Sequence, residues 1–398
     1  MLEGFQYYMP TKIIFGENKI DVLSDIKLPG KKALIVATKG GAVVRNKALD
    51  RLITALERQG TEYEVYREVS ANPDTAAVAN GAEKARAEEC DFVIGLGGGS
   101  AIDAAKAIAV LAKNGTDFWQ YIQRGSGGRK YPENGALPIV AIPTTAGTGT
   151  EADPWLVVSN HETDEKIGCG WAFTYPSLAV VDPSLMLSVP PAFTAYQGMD
   201  AFFHAAEGYI ATCATPVSEM FSLQAIERIA RYLPAAVKDG SDMEARANIA
   251  WASTAAGIVE SLSDTISQHY VSHAVTAMHG NVPHGAALIS LSIPYFSVFV
   301  DTVPEKLTAL AEAMGACGKF TDPKEGALCF MDALKKLIAD IGMKNLNLGE
   351  FGVTVEEAAG IVQKAYETDG HLFGITPAEI SEAQMTEIVK KSIKGESV

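Results

Sequence analysis

The chain has 398 residues, 47% of them hydrophobic and 20% charged, with a net charge of −15. That is too long for one ordinary domain, and its apolar content is enough for two cores. The acidic balance leaves no basic stripe to displace counterions, which argues against a nucleic-acid or anionic-membrane surface, and no run approaches the ~20 apolar residues of a membrane span.

The opening "MLEGFQYYMPTKIIFG" has neither a basic start nor a long apolar run, so no signal peptide is expected. The cysteines Cys90, Cys169, Cys213, Cys317 and Cys329 lie far apart without a CxxC pair. They are expected to be reduced packing residues of a cytoplasmic protein. Up to about residue 185, short β-rich runs alternate with helical ones: "KKALIVAT", "YEVYREV", "CDFVIGLGGGS", "LPIVAIPTT" and "LAVVDP" are separated by segments such as 43–59, 75–88 and 101–112. That order predicts βαβ units on a mostly parallel sheet.

Within that half, "DFVIGLGGGSAIDAAKAIAV" reads as a strand, a glycine turn and an alanine-rich helix. Glycines let the backbone approach a bound group, and the amides at the positive end of the helix attract phosphate. Gly97, Gly98, Gly99 and Ser100 are therefore candidates to hold a pyrophosphate. The alternative is a tight turn with no ligand. A second loop, "IVAIPTTAGTGTEAD", sets Thr144, Thr145, Thr148 and Thr150 just after another strand. Small hydroxyls at the carboxyl end of a parallel sheet favour a dinucleotide.

Beyond "DPSLMLSVPP" the β-branched runs largely stop. Helical patterns follow at 195–213, 216–236, 243–262, 285–299, 304–315, 323–341, 354–366 and 377–393. The expected organisation is thus a Rossmann-like α/β domain over 1–188 and an all-α domain over 189–398. In the second half, "YQGMDAFFHAAEGYI" places Asp200 and His204 four apart, about 40° around a helix axis. Four of the chain's seven histidines, His269, His273, His279 and His284, then crowd into "QHYVSHAVTAMHGNVPHG". An Asp–His pair alone is equally a helix-stabilising contact. Joined by the histidine run, the constellation offers one oxygen and three nitrogens, a donor set suited to Fe²⁺ or Zn²⁺.

In this order, "PTKIIFG", "GGGSAIDAAK", "PTTAGTGTE", "GMDAFFHAAE" and "HYVSHAVTAMHGNVPHG" resemble the iron-containing, or group III, alcohol dehydrogenases over nearly the whole chain. The resemblance implies the architecture shared with dehydroquinate synthase: a dinucleotide-binding α/β domain, a helical domain, and a metal in the cleft between them. Carried over by motif, the metal ligands are Asp200, His204, His269 and His284, with His273 beside the substrate. Asn72, Gly98, Gly99, Ser100, Asp103, Thr144, Thr145 and Lys166 match cofactor-contacting positions. Two departures stand out. The third and fourth ligands are separated by fifteen residues, where many members have fourteen, with His279 inside the longer loop. After the first strand, where NAD-preferring relatives often carry an aspartate, stand Thr38, Lys39, Gly40 and Gly41, so the choice between NAD and NADP is open.

The expected chemistry is hydride transfer between a short-chain alcohol or aldehyde and NAD or NADP, with the metal, Fe²⁺ or alternatively Zn²⁺, as Lewis acid. His273 and His279 are candidate proton carriers because imidazole titrates near neutrality. Trp119, Tyr121, Trp155, Phe173, Phe202 and Phe203 are candidates for lining a substrate pocket. A glycerol-dehydrogenase-like polyol enzyme and a lyase resembling dehydroquinate synthase are the rival readings. No nucleic-acid or membrane partner is expected; a homo-oligomer, a dimer or larger, is.

Overall fold

The computed structural model describes residues 4–316, 318 and 320–396. The chain divides into two compact units, Met9–Val189 and a second made of Met1–Tyr8 with Pro190–Val398.

The first unit is built on eight strands: β1 Lys12–Phe15, β2 Lys32–Thr38, β3 Glu62–Val69, β4 Phe92–Gly97, β5 Ile139–Pro143, β6 Trp155–Asn160, β7 Glu165–Gly170 and β8 Leu178–Val181. Six of them form one sheet in the order β1-β8-β5-β4-β2-β3, every pairing parallel. Helices α1 Ala42–Arg45, α2 Ala48–Gln59, α3 Thr75–Ala87 and α4 Gly99–Asn114 are interleaved with the strands. Alternation along the strands sends Leu34, Val36 and Val93 into one core with Val78 and Ile108. Their neighbours Ala33, Ile35, Phe92 and Ile94 enter a second core with Leu49, Leu52 and Leu56. A sheet covered on both faces explains why β4 and β5 are buried throughout and read as continuous apolar runs.

Two features lay outside the sequence reading. The edge strand β1 is only four residues long. The antiparallel pair β6–β7 stands apart from the main sheet, packing Leu156, Val158 and Ile167 against the α4 side of the core. In both cases a short segment is made a strand by its neighbours rather than by a strong pattern of its own.

The second unit is helical: α5 Pro191–Ile210, α6 Pro216–Lys238, α7 Met243–Ser263, α8 Ser267–Met278, α9 His284–Phe296, α10 Pro304–Ala313, α11 Pro323–Asp340, α12 Ala358–Asp369 and α13 Glu382–Lys394. Side-chain caps from Thr215, Asp242, Asp322 and Ser381 satisfy the first free amides of four of these helices. The cap at Ser381 explains why the last helix begins later than the periodicity from 377 suggests. A 3-10 turn over Val355–Glu357 likewise delays α12. No helix among the described residues is long and apolar enough to cross a membrane. Cys90, Cys169 and Cys213 are not in disulfides. Cys329 is disulfide-bonded, contrary to the expectation of reduced thiols, because separation in sequence does not decide which thiols meet in the fold. Cys317 lies outside the described residues.

Candidate metal and dinucleotide sites

The candidate metal site is assembled by three helices of the second unit. On α5, Asp200, His204 and Glu207 share one face at spacings of four and seven, and all three are buried. Helix α8 contributes His269, Ser272 and His273. A turn then closes with a hydrogen bond from the Val282 amide to the His279 carbonyl (3.0 Å). Pro283 caps α9, which puts His284 at its first position.

Among the described residues, Asp200, His269 and His284 bring one ligand atom each to within 4.8 Å of one another. Asp200 Oδ1 lies 3.6 Å from His269 Nε2 and 3.4 Å from His284 Nε2. A tetrahedral ion with bonds near 2.1 Å holds its ligand atoms about 3.4 Å apart, so the spacing fits a cation. Asp200 Oδ1 and His269 Nε2 are buried without a hydrogen-bond partner, an expensive arrangement for polar atoms unless something binds between them. His204 stacks on His269 with ring centroids 4.4 Å apart, and its Nδ1 is 4.0 Å from Asp200 Oδ1. It borders the trio.

The far sides of these imidazoles are held as well. Glu207, fully buried, bonds His269 Nδ1 at 2.7 Å and accepts the Ile266 amide at 2.9 Å. Ser272 Oγ bonds His284 Nδ1 at 2.8 Å. Glu260 Oε2 lies 3.7 Å from His204 Nε2. Burial works against a charge on His269, but the carboxylates of Glu207 and Asp200 outweigh it and push the imidazole up to about 10. The two carboxylates make these surroundings favourable to positive charge, which a bound cation would supply with the imidazole neutral. Sequence reading missed Glu207, although its place seven residues after Asp200 on the same helix face is a usable signal.

His273 stands next to the trio, its ring 5.1 Å from that of His284 and edge-on to Tyr270 at 5.5 Å. His279 is at the end of α8, with Nε2 3.2 Å from Glu357 Oε1. The aromatic candidates for a substrate pocket are largely core. Phe202 and Phe203 are fully buried, Trp119 and Tyr121 belong to the core of the first unit, and Phe173 packs half-buried against it.

In the first unit, the nucleotide candidates meet at the carboxyl ends of β2, β4 and β5, where open parallel sheets bind ligands. Gly97 adopts φ +150, a conformation that side chains rarely tolerate, and its carbonyl accepts the Thr144 amide at 2.8 Å. Gly98 and Gly99 open α4. A Cβ on Gly98 would lie 3.0 Å from Thr145 Oγ1, and one on Gly99 would lie 2.6 Å from Thr148 Cγ2. The glycine and threonine loops are thus in contact. The Asn72 amide, at φ 57, reaches Ser100 Oγ at 3.3 Å. Thr38 ends β2.

Asp103 serves as a fastener here. Its oxygens accept Thr150 Oγ1 (2.9 Å) and the Val157 amide (3.1 Å); burial raises its pKa against the pull of Lys106 and, more weakly, Lys166, which lies buried on β7. Lys106, which sequence reading passed over, is fully buried. Its Nζ donates to Thr150 Oγ1 (2.7 Å), the Asp153 carbonyl (2.9 Å), Asp153 Oδ1 (3.1 Å) and the Trp155 carbonyl (2.6 Å). A lysine inside an alanine-rich apolar helix was the available signal.

A dinucleotide-type loop pair on a parallel sheet, and a buried carboxylate–imidazole cation site in a helical unit, define a metal-assisted, nucleotide-using oxidoreductase. The sequence profile "Iron-containing alcohol dehydrogenase" matches residues 10–183, and "Fe-containing alcohol dehydrogenase family, C-terminal" matches residues 194–393. The chain belongs to the iron-containing alcohol dehydrogenase family. It is 34% identical over 392 residues to 1,3-propanediol dehydrogenase of Citrobacter freundii, covering 98% of each chain. Among solved structures it is similar to an archaeal halo-thermophilic Red Sea brine pool alcohol dehydrogenase (TM-score 0.93, 31% identity, 98% of this chain and 100% of the other). It is also similar to sulfoacetaldehyde reductase from Bifidobacterium kashiwanohense in complex with NAD⁺ (TM-score 0.85, 30% identity, 98% and 99% covered).

Proposed function

We propose that this chain transfers hydride reversibly between a short-chain alcohol and its aldehyde, using NAD or NADP and a divalent metal, Fe²⁺ or alternatively Zn²⁺. The reading assigns Asp200, His204, His269 and His284 as ligands, with residues 1–188 binding the dinucleotide and 189–398 the metal. It includes a cytoplasmic homo-oligomer. The observation that carries it is the buried Asp200 Oδ1, facing two imidazole nitrogens at 3.4 and 3.6 Å without a hydrogen bond. Relatives named for alcohols and propanediol, and one solved with NAD⁺, support the substrate and cofactor classes.

A cation in such a site supplies Lewis acidity that makes an alcohol oxygen easier to deprotonate and an aldehyde carbon easier to reduce. The protein's contribution is positioning. Glu207 and Ser272 fix the ring orientations of His269 and His284, leaving their Nε2 atoms toward Asp200. The glycine and threonine loops hold the dinucleotide, with Gly97, Gly98, Gly99 and Ser100 at its phosphates and Thr38, Asn72, Asp103, Thr144, Thr145, Thr148 and Lys166 around them. His273, one ring away from His284, carries the proton toward solvent, and His279 assists at the end of α8.

The test is chelation followed by reconstitution, assayed against short alcohols, diols and their aldehydes with both cofactors. The proposal expects turnover to be lost on chelation and restored by Fe²⁺ at least as well as by Zn²⁺. Full turnover in protein shown by elemental analysis to be metal-free would contradict it.

A further inference from the structure

His284 owes its position to the turn that leads into α9, and that turn is thinly built. It runs from His279 to Pro283 with Gly280 and Asn281 exposed, and a Cβ on Gly280 would meet nothing within 4 Å. The backbone bonds that secure it are the His279 amide to the Val275 carbonyl (2.8 Å) and the Val282 amide to the His279 carbonyl (3.0 Å). An exposed turn of this kind opens locally at low cost, and its opening would carry a candidate ligand away. Two side-chain contacts to a segment far along the chain hold it down. Asn281 Nδ2 donates to the Phe351 carbonyl at 2.9 Å, across 70 residues of sequence, and His279 Nε2 lies 3.2 Å from Glu357 Oε1.

Glu357 is aimed at the turn by its own neighbours. Its Oε2 accepts the Thr354 amide and the Thr354 hydroxyl, both at 2.8 Å, which leaves Oε1 toward the imidazole. The two Thr354 bonds, and after them His279, hold the Glu357 carboxyl below its ordinary range, so it is ionised at neutral pH. Both anchors belong to elements packed on the helices of the candidate site. Phe351 ends a 3-10 turn over Leu348–Phe351 that touches α9, and Glu357 leads into α12, which packs against α8. The turn is thereby tied to structure resting on the helix it leaves and on the helix it enters. Ser272 orients the ring of His284, whereas the backbone of His284 depends on this turn.

We propose that Glu357 and Asn281 are positioning residues that latch the 279–283 turn and so set how long the site keeps its cation. The inference rests on the metal reading above and adds residues that govern retention rather than ligation. The purified full-length protein is loaded with Zn²⁺ and mixed with an excess of a chromogenic chelator, and the first-order rate of release is read without reference to turnover. His279 is left intact in every variant because of its proposed part in proton movement. Glu357→Ala and Asn281→Ala should each speed release ~3- to 10-fold, less than the ~10- to 100-fold expected where a residue bonded to a ligand is removed. Glu357→Gln, whose amide still reaches the imidazole, should return most of the way to the wild-type rate. Thr354→Ala separates a latch from general loosening, since it removes a hydroxyl from the same helix start but keeps the amide that aims Glu357. It should lower the melting temperature yet leave release within about twofold of wild type. Wild-type release rates in both Glu357→Ala and Asn281→Ala, or release from Thr354→Ala as fast as from Glu357→Ala, would overturn the latch while leaving the metal reading intact. Wild-type protein that takes up no Zn²⁺ would overturn both.

Discussion

At Asp200 a carboxylate oxygen is buried against two imidazoles at distances too long for hydrogen bonds and suited to a shared ion. The supporting residue with the largest expected effect is Glu207, because it both orients His269 and accepts the Ile266 amide. Glu207→Ala should lower metal affinity ~10- to 100-fold, with Glu207→Gln less affected because its amide oxygen still accepts from Nδ1. Equilibrium dialysis against Fe²⁺ or Zn²⁺ measures this. The sequence made the Asp200–His204 spacing and the histidine run visible, since imidazole is scarce and its clustering is informative. Glu207 was hidden because a glutamate on a helix ordinarily reads as a solvated surface charge. Nothing in the pattern reveals that it is buried until α8 is packed against it.

At the scale of elements, close helix approach governs where His284 sits. A Cβ on Gly285 would come 2.2 Å from the Tyr196 carbonyl oxygen, so α5 and α9 touch through this glycine. Gly285→Ala should destabilise the protein by ~1–3 kcal/mol and, by displacing α9 at its first turn, reduce metal content. A melting curve and elemental analysis read the two effects separately. In the other unit, Lys106 ties α4 to the 150–155 segment. Lys106→Met would leave Asp153 buried without its ion-pair partner (Nζ–Oδ1 3.1 Å), a loss of ~3–5 kcal/mol measurable by denaturant unfolding. The strands β2, β4, β5 and β8 were legible because their runs are almost wholly apolar, and β3 because valine and tyrosine alternate with charged residues along it. The β6–β7 pair was not, since "EKIGCG" carries a charged start and two glycines, and becomes a strand by pairing with "WLVVSN".

For the whole molecule, the order of the chain reflects its chemistry. Residues that suit a dinucleotide lie in the α/β unit, and residues that suit a cation lie in the helical one. This two-part plan was readable from the change of rhythm near Pro190 and from motifs in fixed order, because a sheet covered by helices and a helical bundle leave different periodicities. What the pattern left obscure was the support around each site: Lys106, Glu207 and Ser272. Those roles depend on residues distant in sequence meeting in space. The register of the histidine run is the point on which the whole assignment turns, because the proposed metal position rests on taking His269 and His284, fifteen residues apart, as ligands. Metal content measured by elemental analysis on the His269→Ala and His273→Ala proteins, prepared and reconstituted identically, tests it most directly. The account predicts a metal-depleted His269→Ala, and a metal-replete His273→Ala whose turnover has fallen by ~10²-fold or more. A metal-replete His269→Ala beside a metal-depleted His273→Ala would contradict it.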